Sequence, residues 1–246
     1  MTADESDYDR YFGILREPER TRTAHLRTYL LGDLPHTGLD EGLRTTLVTG
    51  LRLASRTVET QPLALFDTAP VSGLPCALRR WKLGHQALHL LLTAMNLDLD
   101  SCLSAAQGAV WHRLADSMAE VCLLYDAATA AMEYAADFPV TAYRDEIRPT
   151  MEPPHMPAGF SGVFNRDHRA MVRRSRHLER AVRELPRDAS VPESVRRGAA
   201  ALRAARRRNR RHHGRICERC VPGGASLLRA HLAQHPVREG SPCDTG

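Results

Sequence analysis

Apolar residues recur at steps of three and four along most of the chain, which is the spacing of one face of an α-helix. The clearest stretch is 76–97, whose apolar face carries Leu78, Trp81, His85, Leu88 and Leu92. Further helices are predicted over residues 8–31, 38–58, about 101–134, 167–185 and 195–220, with a short one over 226–234. The pattern therefore predicts an all-α protein.

Two segments rich in proline and glycine interrupt the helical pattern. Residues 61–75 are predicted to form a loop. Residues 139–162 contain four prolines between positions 149 and 157, which exclude a continuous helix. The same segment carries Met151, Met156 and Phe160, so we expect an ordered loop that packs against the rest of the protein.

The composition is that of a globular helical protein, with 43% hydrophobic and 5% aromatic residues among 246. We expect one helical domain over residues 1–235 and a disordered tail over 236–246. The chain starts with acidic and polar residues, and no apolar run approaches the roughly 20 residues that span a bilayer. Six scattered cysteines do not match a disulfide framework. A cytoplasmic protein with reduced cysteines, away from membranes, is expected.

The net charge of +5 at first suggests an acidic partner. However, Lys82 is the only lysine, and nearly all the positive charge is arginine. So extreme a ratio reflects a GC-rich genome, because arginine codons are GC-rich and lysine codons are not. The excess of positive charge alone is therefore weak evidence for nucleic acid binding.

The last long helix carries His213 on its buried side and Cys217 one turn later. A neutral imidazole on a rigid helix is a frequent axial ligand of haem iron. A thiol at Cys217 could reach the porphyrin edge and form a thioether with a vinyl group. Nearby arginines that could neutralise the propionates are Arg206, Arg207, Arg208, Arg210, Arg211 and Arg215. The alternative is that His213 is a hydrogen-bonded core residue.

A zinc site is the competing interpretation of this region. Cys217, Cys220, His231 and His235 have the ligand types of a zinc finger, although ten residues separate the two pairs instead of the usual twelve. The corresponding function is a zinc-stabilised, arginine-rich protein that binds nucleic acid through residues 203–215. Stacking aromatic residues are missing from that stretch, which makes nucleic acid the less favoured partner.

Three short motifs follow one another along the chain. They are Trp81-Lys82-Leu83-Gly84-His85-Gln86, then Tyr143-Arg144-Asp145 with Gly159-Phe160-Ser161-Gly162, and between these Met151-Glu152-Pro153-Pro154-His155. Together they resemble motifs of the tryptophan 2,3-dioxygenase superfamily of haem enzymes. In the related indoleamine dioxygenases an Arg-x-x-His on a later helix supplies the iron ligand, and Arg210-Arg211-His212-His213 occupies that place here. The resemblance implies a helical bundle around a haem.

The motif Arg148-Pro149-x-Met151-x-Pro153-Pro154 with Gly159-Phe160-Ser161-Gly162 is more similar to the haem-dependent tyrosine hydroxylases of natural-product pathways. One branch, which hydroxylates 3-methyltyrosine, carries His-x3-Cys with a haem joined by a single thioether. His213 and Cys217 match that motif. The branch has a second histidine ligand upstream, for which His168 and His177 are both candidates.

The resemblance implies a role for each matched residue. His213 holds the haem iron and Cys217 the porphyrin edge, while His85 lies on the distal side and exchanges a hydrogen bond with oxidant or substrate. Arg144 or Arg148 binds the substrate carboxylate. The loop residues Phe160, Ser161 and Gly162 approach the substrate, although Ser161 stands where the dioxygenases have glutamine. From the residues alone, His85 could equally be a core histidine and each arginine a solvated surface charge.

The expected activity is oxidation of a small aromatic amino acid, with ring hydroxylation of a tyrosine-like substrate favoured over dioxygen insertion into an indole. The oxidant is O2 or hydrogen peroxide, and the sequence leaves that choice open. A homodimer would also agree with the resemblance, because the dioxygenases of this superfamily often form oligomers.

Overall fold

The described residues of the computed structural model are 3–15, 23–59, 65–66, 73–186 and 190–220. Within them the α-helices are α1 (Glu5–Phe12), α2 (Thr23–Asp33), α3 (Glu41–Glu59), α4 (Cys76–Gln107), α5 (Trp111–Ala135), α6 (Val140–Ala142), α7 (Arg166–Glu184) and α8 (Glu193–Cys220). Two-residue strands, β1 (Ile14–Leu15) and β2 (Leu65–Phe66), pair antiparallel. The predicted all-α fold is confirmed. The predicted tail and the short helix over 226–234 lie outside the described residues.

The antiparallel pair α4 and α5 forms the centre of the protein. Helix α4 also packs against α3 and α7, and α5 packs against α3 and α8. The predicted break at Asp100-Ser101 is wrong, because α4 continues to Gln107 and the turn lies at Gly108–Val110. Leu99, Cys102 and Ala105 are buried, which extends the apolar face of α4 through the expected break, and Asp100 binds Arg174 instead of capping a helix.

Two glycines allow the central helices to approach each other closely. A Cβ on Gly84 would lie 2.4 Å from the Cβ of Ala135, and one on Gly50 would lie 2.1 Å from the Cβ of Ala127. Both distances are far below van der Waals contact, so no larger side chain fits at either position. Since Gly84 directly precedes His85, this contact also fixes the place of His85 against α5.

Helix α1 is short, well capped and fastened to α4. Asp4 accepts hydrogen bonds from the backbone N–H groups of Ser6 and Asp7, and Gly13 ends the helix with a φ of 66°. The last carbonyls of α1 are bound by α4 side chains: Gln86 donates to the oxygen of Phe12 at 2.8 Å, and Lys82 donates to that of Tyr11 at 2.7 Å. The end of α1 is thereby held beside His85.

The segment between α5 and α7 contains short helical turns joined by irregular backbone. They are α6, a π-turn at Tyr143–Ile147, and 3₁₀ turns at Arg148–Met151 and Gly162–Phe164. Met151, Met156 and Phe160 are buried in it, which confirms the prediction of an ordered loop that packs on the protein. Among the described residues, no helix has the length and apolar character needed to cross a membrane.

Candidate active site

His85 is held between two aromatic rings on α4 and α1. Its ring stacks on that of Phe12, with centroids 4.3 Å apart and 10° between the planes, and its centroid lies 4.2 Å from that of Trp81. Its Nδ1 lies 2.7 Å from the carbonyl oxygen of Trp81, so Nδ1 carries the proton and Nε2 keeps its lone pair. Burial, and to a lesser degree the charge of His213, lower the pKa of His85 to about 4. His85 is therefore a neutral hydrogen-bond acceptor at physiological pH.

Three helices bring His85, His168 and His213 to one region. His168 lies in the first turn of α7, which Asn165 caps, and His213 lies near the end of α8. Both side chains are exposed. The prediction that His213 lies on the buried side of α8 is therefore wrong, because Ile216 and Cys220 are the buried residues at this end of the helix and His212 is the histidine that binds α5, through Glu133. Desolvation lowers the pKa of His168 and of His213, and the charge of His213 lowers the pKa of both other histidines. His213 is therefore the common neighbour of the other two imidazoles.

The second upstream candidate, His177, faces away from this region. Nine residues separate it from His168 on α7, which at 100° per residue places the two on opposite sides of the helix. It lies on an exposed basic face together with Arg173, Arg176 and Arg180. Of the two candidates, the structure brings His168 alone to His213.

Tyr143 connects the histidine region with the cysteines at the end of α8. Its ring centroid lies 5.7 Å from that of Trp81. Burial, and to a lesser degree the neighbouring thiols of Cys220 and Cys217, raise the pKa of Tyr143 to about 12. Partial desolvation, followed by the charge of Glu218, raises the pKa of the Cys217 thiol, which is exposed and lies one turn after His213. Tyr143 thus contacts Trp81 and lies within electrostatic range of both cysteines at the end of α8.

The two candidate arginines occupy different environments. Arg144 is exposed and binds both carboxylate oxygens of its neighbour Asp145, at 2.6 and 2.9 Å. Arg148 is half-buried, lies 2.9 Å from a carboxylate oxygen of Glu152, and lowers the pKa of Tyr143 by its charge. The structure therefore brings Arg148 into the region of Trp81 and Tyr143, and leaves Arg144 at the surface.

The loop residues Phe160, Ser161 and Gly162 also differ in how deeply they are buried. Phe160 is buried, with its ring centroid 5.0 Å from that of Tyr11 and 6.4 Å from that of Phe12. Ser161 is half-buried, and Gly162 is exposed with no atom near the position of a Cβ. Phe160 is thus part of the aromatic wall that supports His85, whereas Gly162 borders open space.

Comparison with known proteins assigns the chain to a family. Residues 1–196 match the model of the SfmD 3-methyl-L-tyrosine peroxygenase family. The chain belongs to that family. The matched range includes His85, Arg148 and His168, and it ends before His213 and Cys217.

A curated relative supports the assignment over a shorter stretch. The 3-methyl-L-tyrosine peroxygenase of Streptomyces lavendulae is 35% identical over 99 residues, which are 39% of this chain and 27% of the relative. The aligned part is thus about a quarter of the relative's length. No solved structure matches the chain. Membership of the wider tryptophan 2,3-dioxygenase superfamily stays a prediction.

The sequence patterns missed the contribution of α1 to the surroundings of His85. Phe12 stacks on His85, and Tyr11 exchanges a hydrogen bond with Thr150 at 2.6 Å, which links α1 to the 139–162 segment. The available signal was three aromatic residues, Tyr8, Tyr11 and Phe12, within five positions of a chain that is 5% aromatic.

The predicted zinc ligands lie only partly in the described structure. Cys217 and Cys220 are on the last turns of α8, while His231 and His235 are outside the described residues. Among described residues, no three His, Cys, Asp or Glu side chains are placed to share a metal ion. The zinc site, and the nucleic-acid-binding function attached to it, stay predictions.

Proposed function

We propose that this chain is a haem-dependent peroxygenase that hydroxylates the ring of 3-methyl-L-tyrosine or a closely related tyrosine, with hydrogen peroxide as oxidant, in natural-product biosynthesis. The observation that supports it is the convergence of His85, His168 and His213 from α4, α7 and α8, in a chain of a peroxygenase family. The aligned part is 27% of the curated relative's length. The activity and the substrate of this chain are therefore proposals that the experiments below test.

The residues of the site fit a haem. His213 and His168 are imidazoles whose lowered pKa favours the neutral form, which is the form that binds iron. Cys217 presents an exposed thiol one turn from His213. We assign His213 as the iron ligand and His168 as the second candidate.

The haem would supply the two-electron oxidation that amino acid side chains cannot perform. The protein contributes a proton acceptor at a defined atom: His85 Nε2, with its ring immobilised by Phe12 and Trp81, can take a proton from peroxide or from the substrate phenol. Since Nδ1 is held by the carbonyl of Trp81, the tautomer does not change during this exchange.

Arg148 is the favoured group for the substrate carboxylate. Its present partner is the carboxylate of Glu152, and a substrate carboxylate offers the same hydrogen-bonding geometry. The aromatic side chains of Trp81, Tyr143 and Phe160 form apolar surface on which a substrate ring can pack. A ring fixed by its carboxylate at one end is held in a single orientation.

The activity is tested with the haem-loaded protein. It should convert 3-methyl-L-tyrosine with hydrogen peroxide to a product heavier by one oxygen, measured by mass spectrometry, whereas O2 without reductant should give none. His85→Phe should lower the rate by about a hundredfold or more at unchanged haem content, while His177→Ala should retain it. Absence of the product with tyrosine and 3-methyl-L-tyrosine, at full haem loading, would contradict the proposal.

The zinc alternative predicts the opposite properties. A colourless protein that carries one zinc ion after expression with ample haem, and that binds duplex DNA with an affinity falling steeply with salt, would favour nucleic-acid binding. Two arginines in the relevant stretch are already engaged, because Arg206 binds Glu179 and Arg208 binds Asp126. This engagement makes peroxygenase activity the better supported function.

A further inference from the structure

The rotation of α8 about its own axis determines the direction in which His213 and Cys217 point. Few apolar contacts fix that rotation. In the half of α8 that carries these residues, 207–220, the buried side chains are Ile216 and Cys220. Six of the other twelve positions are arginine, whose side chains are tolerated at any exposed orientation. An additional constraint is therefore needed to hold one rotation.

Polar side chains of α5 supply that constraint. Asp126, Thr129 and Glu133 follow each other at steps of three and four and share one face of α5. Asp126 accepts from Arg208 at 2.8 Å, and Thr129 accepts from Asn209 at 2.9 Å. The contacts advance in the same order along both helices, so α8 runs parallel to α5.

Glu133 differs from the other two because it binds two residues of α8 at once. One carboxylate oxygen lies 2.6 Å from His212 Nε2, and the other lies 3.0 Å from Arg219 Nη2. The Glu133 side chain is 16% exposed and its partners His212 and Arg219 are 34% and 46% exposed, whereas Asp126 and Arg208 are 41% and 49% exposed. Because Glu133 is the more buried carboxylate and binds two side chains, it contributes more to the polar constraint than Asp126 does.

The helical geometry of α8 relates the Glu133 contact to the direction in which His213 and Cys217 point. His212 and Arg219 are seven residues apart, so they lie about 20° from each other on the helical wheel. His213 and Cys217 lie about 100° and 140° from His212, so they share one flank of the helix. Both side chains are exposed, and the charge of His213 acts on His85 and His168. Holding the His212–Arg219 stripe against α5 therefore fixes the direction in which His213 and Cys217 point.

We infer that Glu133 is a positioning residue: by binding His212 and Arg219 together, it sets the rotation of the end of α8 and thereby aims His213 and Cys217 into the site. The functional meaning rests on the proposed haem site, but the constraint itself is a property of the protein without haem. Glu133 acts through His212 and Arg219, and it contacts neither of the proposed haem-binding residues.

The first test uses the haem-free protein. Cys220 is buried at the end of α8, next to Arg219, so its alkylation reports opening of this end of the helix. In Glu133→Gln, which keeps the size but loses one of the two acceptors, Cys220 should be alkylated about threefold to tenfold faster, measured by peptide mapping in the mass spectrometer. Asp126→Asn is the matched control and should change the rate by less than about twofold. An unchanged rate in Glu133→Gln and in Glu133→Ala would overturn the inference.

The second test uses the haem-loaded protein and separates this inference from the proposed function. Glu133→Gln should shift the Soret absorption and speed haem transfer to apomyoglobin, at an unchanged melting temperature, while Asp126→Asn should match the wild type. If the wild type binds no haem but Glu133→Gln still accelerates Cys220 alkylation, the proposed cofactor fails and the positioning role of Glu133 stands. If haem binds through His213 and neither readout responds to Glu133→Gln, the positioning role fails alone.

Discussion

His85 Nδ1 lies 2.7 Å from the carbonyl oxygen of Trp81, one turn earlier on the same helix. This contact decides the tautomer of His85 without any second side chain, because a backbone carbonyl can only accept. The ring of Trp81 also packs on the imidazole, so one residue both accepts the hydrogen bond of His85 and contacts its ring. A histidine at this place in an apolar stripe is thus fixed in orientation and in charge.

The lowered pKa of His85 predicts a specific acid sensitivity. The folded-state pKa of about 4 lies below the ordinary histidine value of 6.5, so the unfolded chain binds an additional proton between these two pH values. The contribution of His85 to stability should therefore be complete above about pH 6.5 and decline as the pH falls to about 4. Urea unfolding of the haem-free protein at pH 7 and pH 4.5 should show a smaller loss for His85→Gln than for wild type. Exposed His112→Gln is the control, and an equal loss in all three proteins would contradict the buried, neutral state.

His168 and His177 are predicted to behave differently in the haem-loaded protein. His168 shares the region of His213, whereas His177 lies on the opposite side of α7. His168→Ala should change the visible spectrum and the haem dissociation rate, and His177→Ala should change neither. The reverse result would identify His177 as the second ligand and contradict the orientation of α7.

Asp98 is predicted to lower the stability at alkaline pH. It is 7% exposed, one carboxylate oxygen is buried without a hydrogen-bond partner in the described structure, and burial followed by the charge of Glu120 raises its pKa to about 7. The folded state therefore holds a proton that the unfolded state has released above about pH 4, and stability declines as the pH rises to about 7. Asp98→Asn should stabilise the protein by on the order of 2 kcal/mol at pH 8 and by much less at pH 5. Equal effects at both pH values, measured by chemical denaturation, would show that Asp98 is ionised in the folded protein.

Gly84 is predicted not to tolerate a methyl group. In Gly84→Ala the new Cβ would meet Ala135 at 2.4 Å and its backbone Cα at 2.7 Å, so α4 and α5 would have to separate. The cost should be about 1–3 kcal/mol or more of unfolding free energy. Gly32→Ala in α2 is the matched control, because its Cβ meets nothing within 4 Å and alanine favours the helix by up to about 1 kcal/mol. Similar melting temperatures for both variants would contradict the close approach of the helices.

The periodicity of apolar residues was sufficient to predict the helices, because each one buries a stripe that the spacing displays directly. The prediction of a helix start at Asp100 was wrong. In the sequence, a polar residue on the exposed side of a long helix cannot be told from an N-cap, and only the structure shows that Asp100 binds Arg174. The periodicity also left His168 and His177 equivalent, because their difference depends on which side of α7 faces α8. The contact of Phe12 with His85 joins residues 73 positions apart, and such a pairing is set by tertiary packing, not by local pattern.

The central claim is that His213 binds a haem, and the most direct measurement is the absorption spectrum of the purified protein and of His213→Ala after expression with ample haem. The wild type should show a Soret band with about one haem per chain, and His213→Ala should lose it, because the iron loses its ligand. Acid–acetone extraction should leave the colour on the wild type and remove it from Cys217→Ala, if Cys217 forms a thioether. A wild-type protein without a Soret band, or a His213→Ala variant with unchanged haem content, would contradict the account.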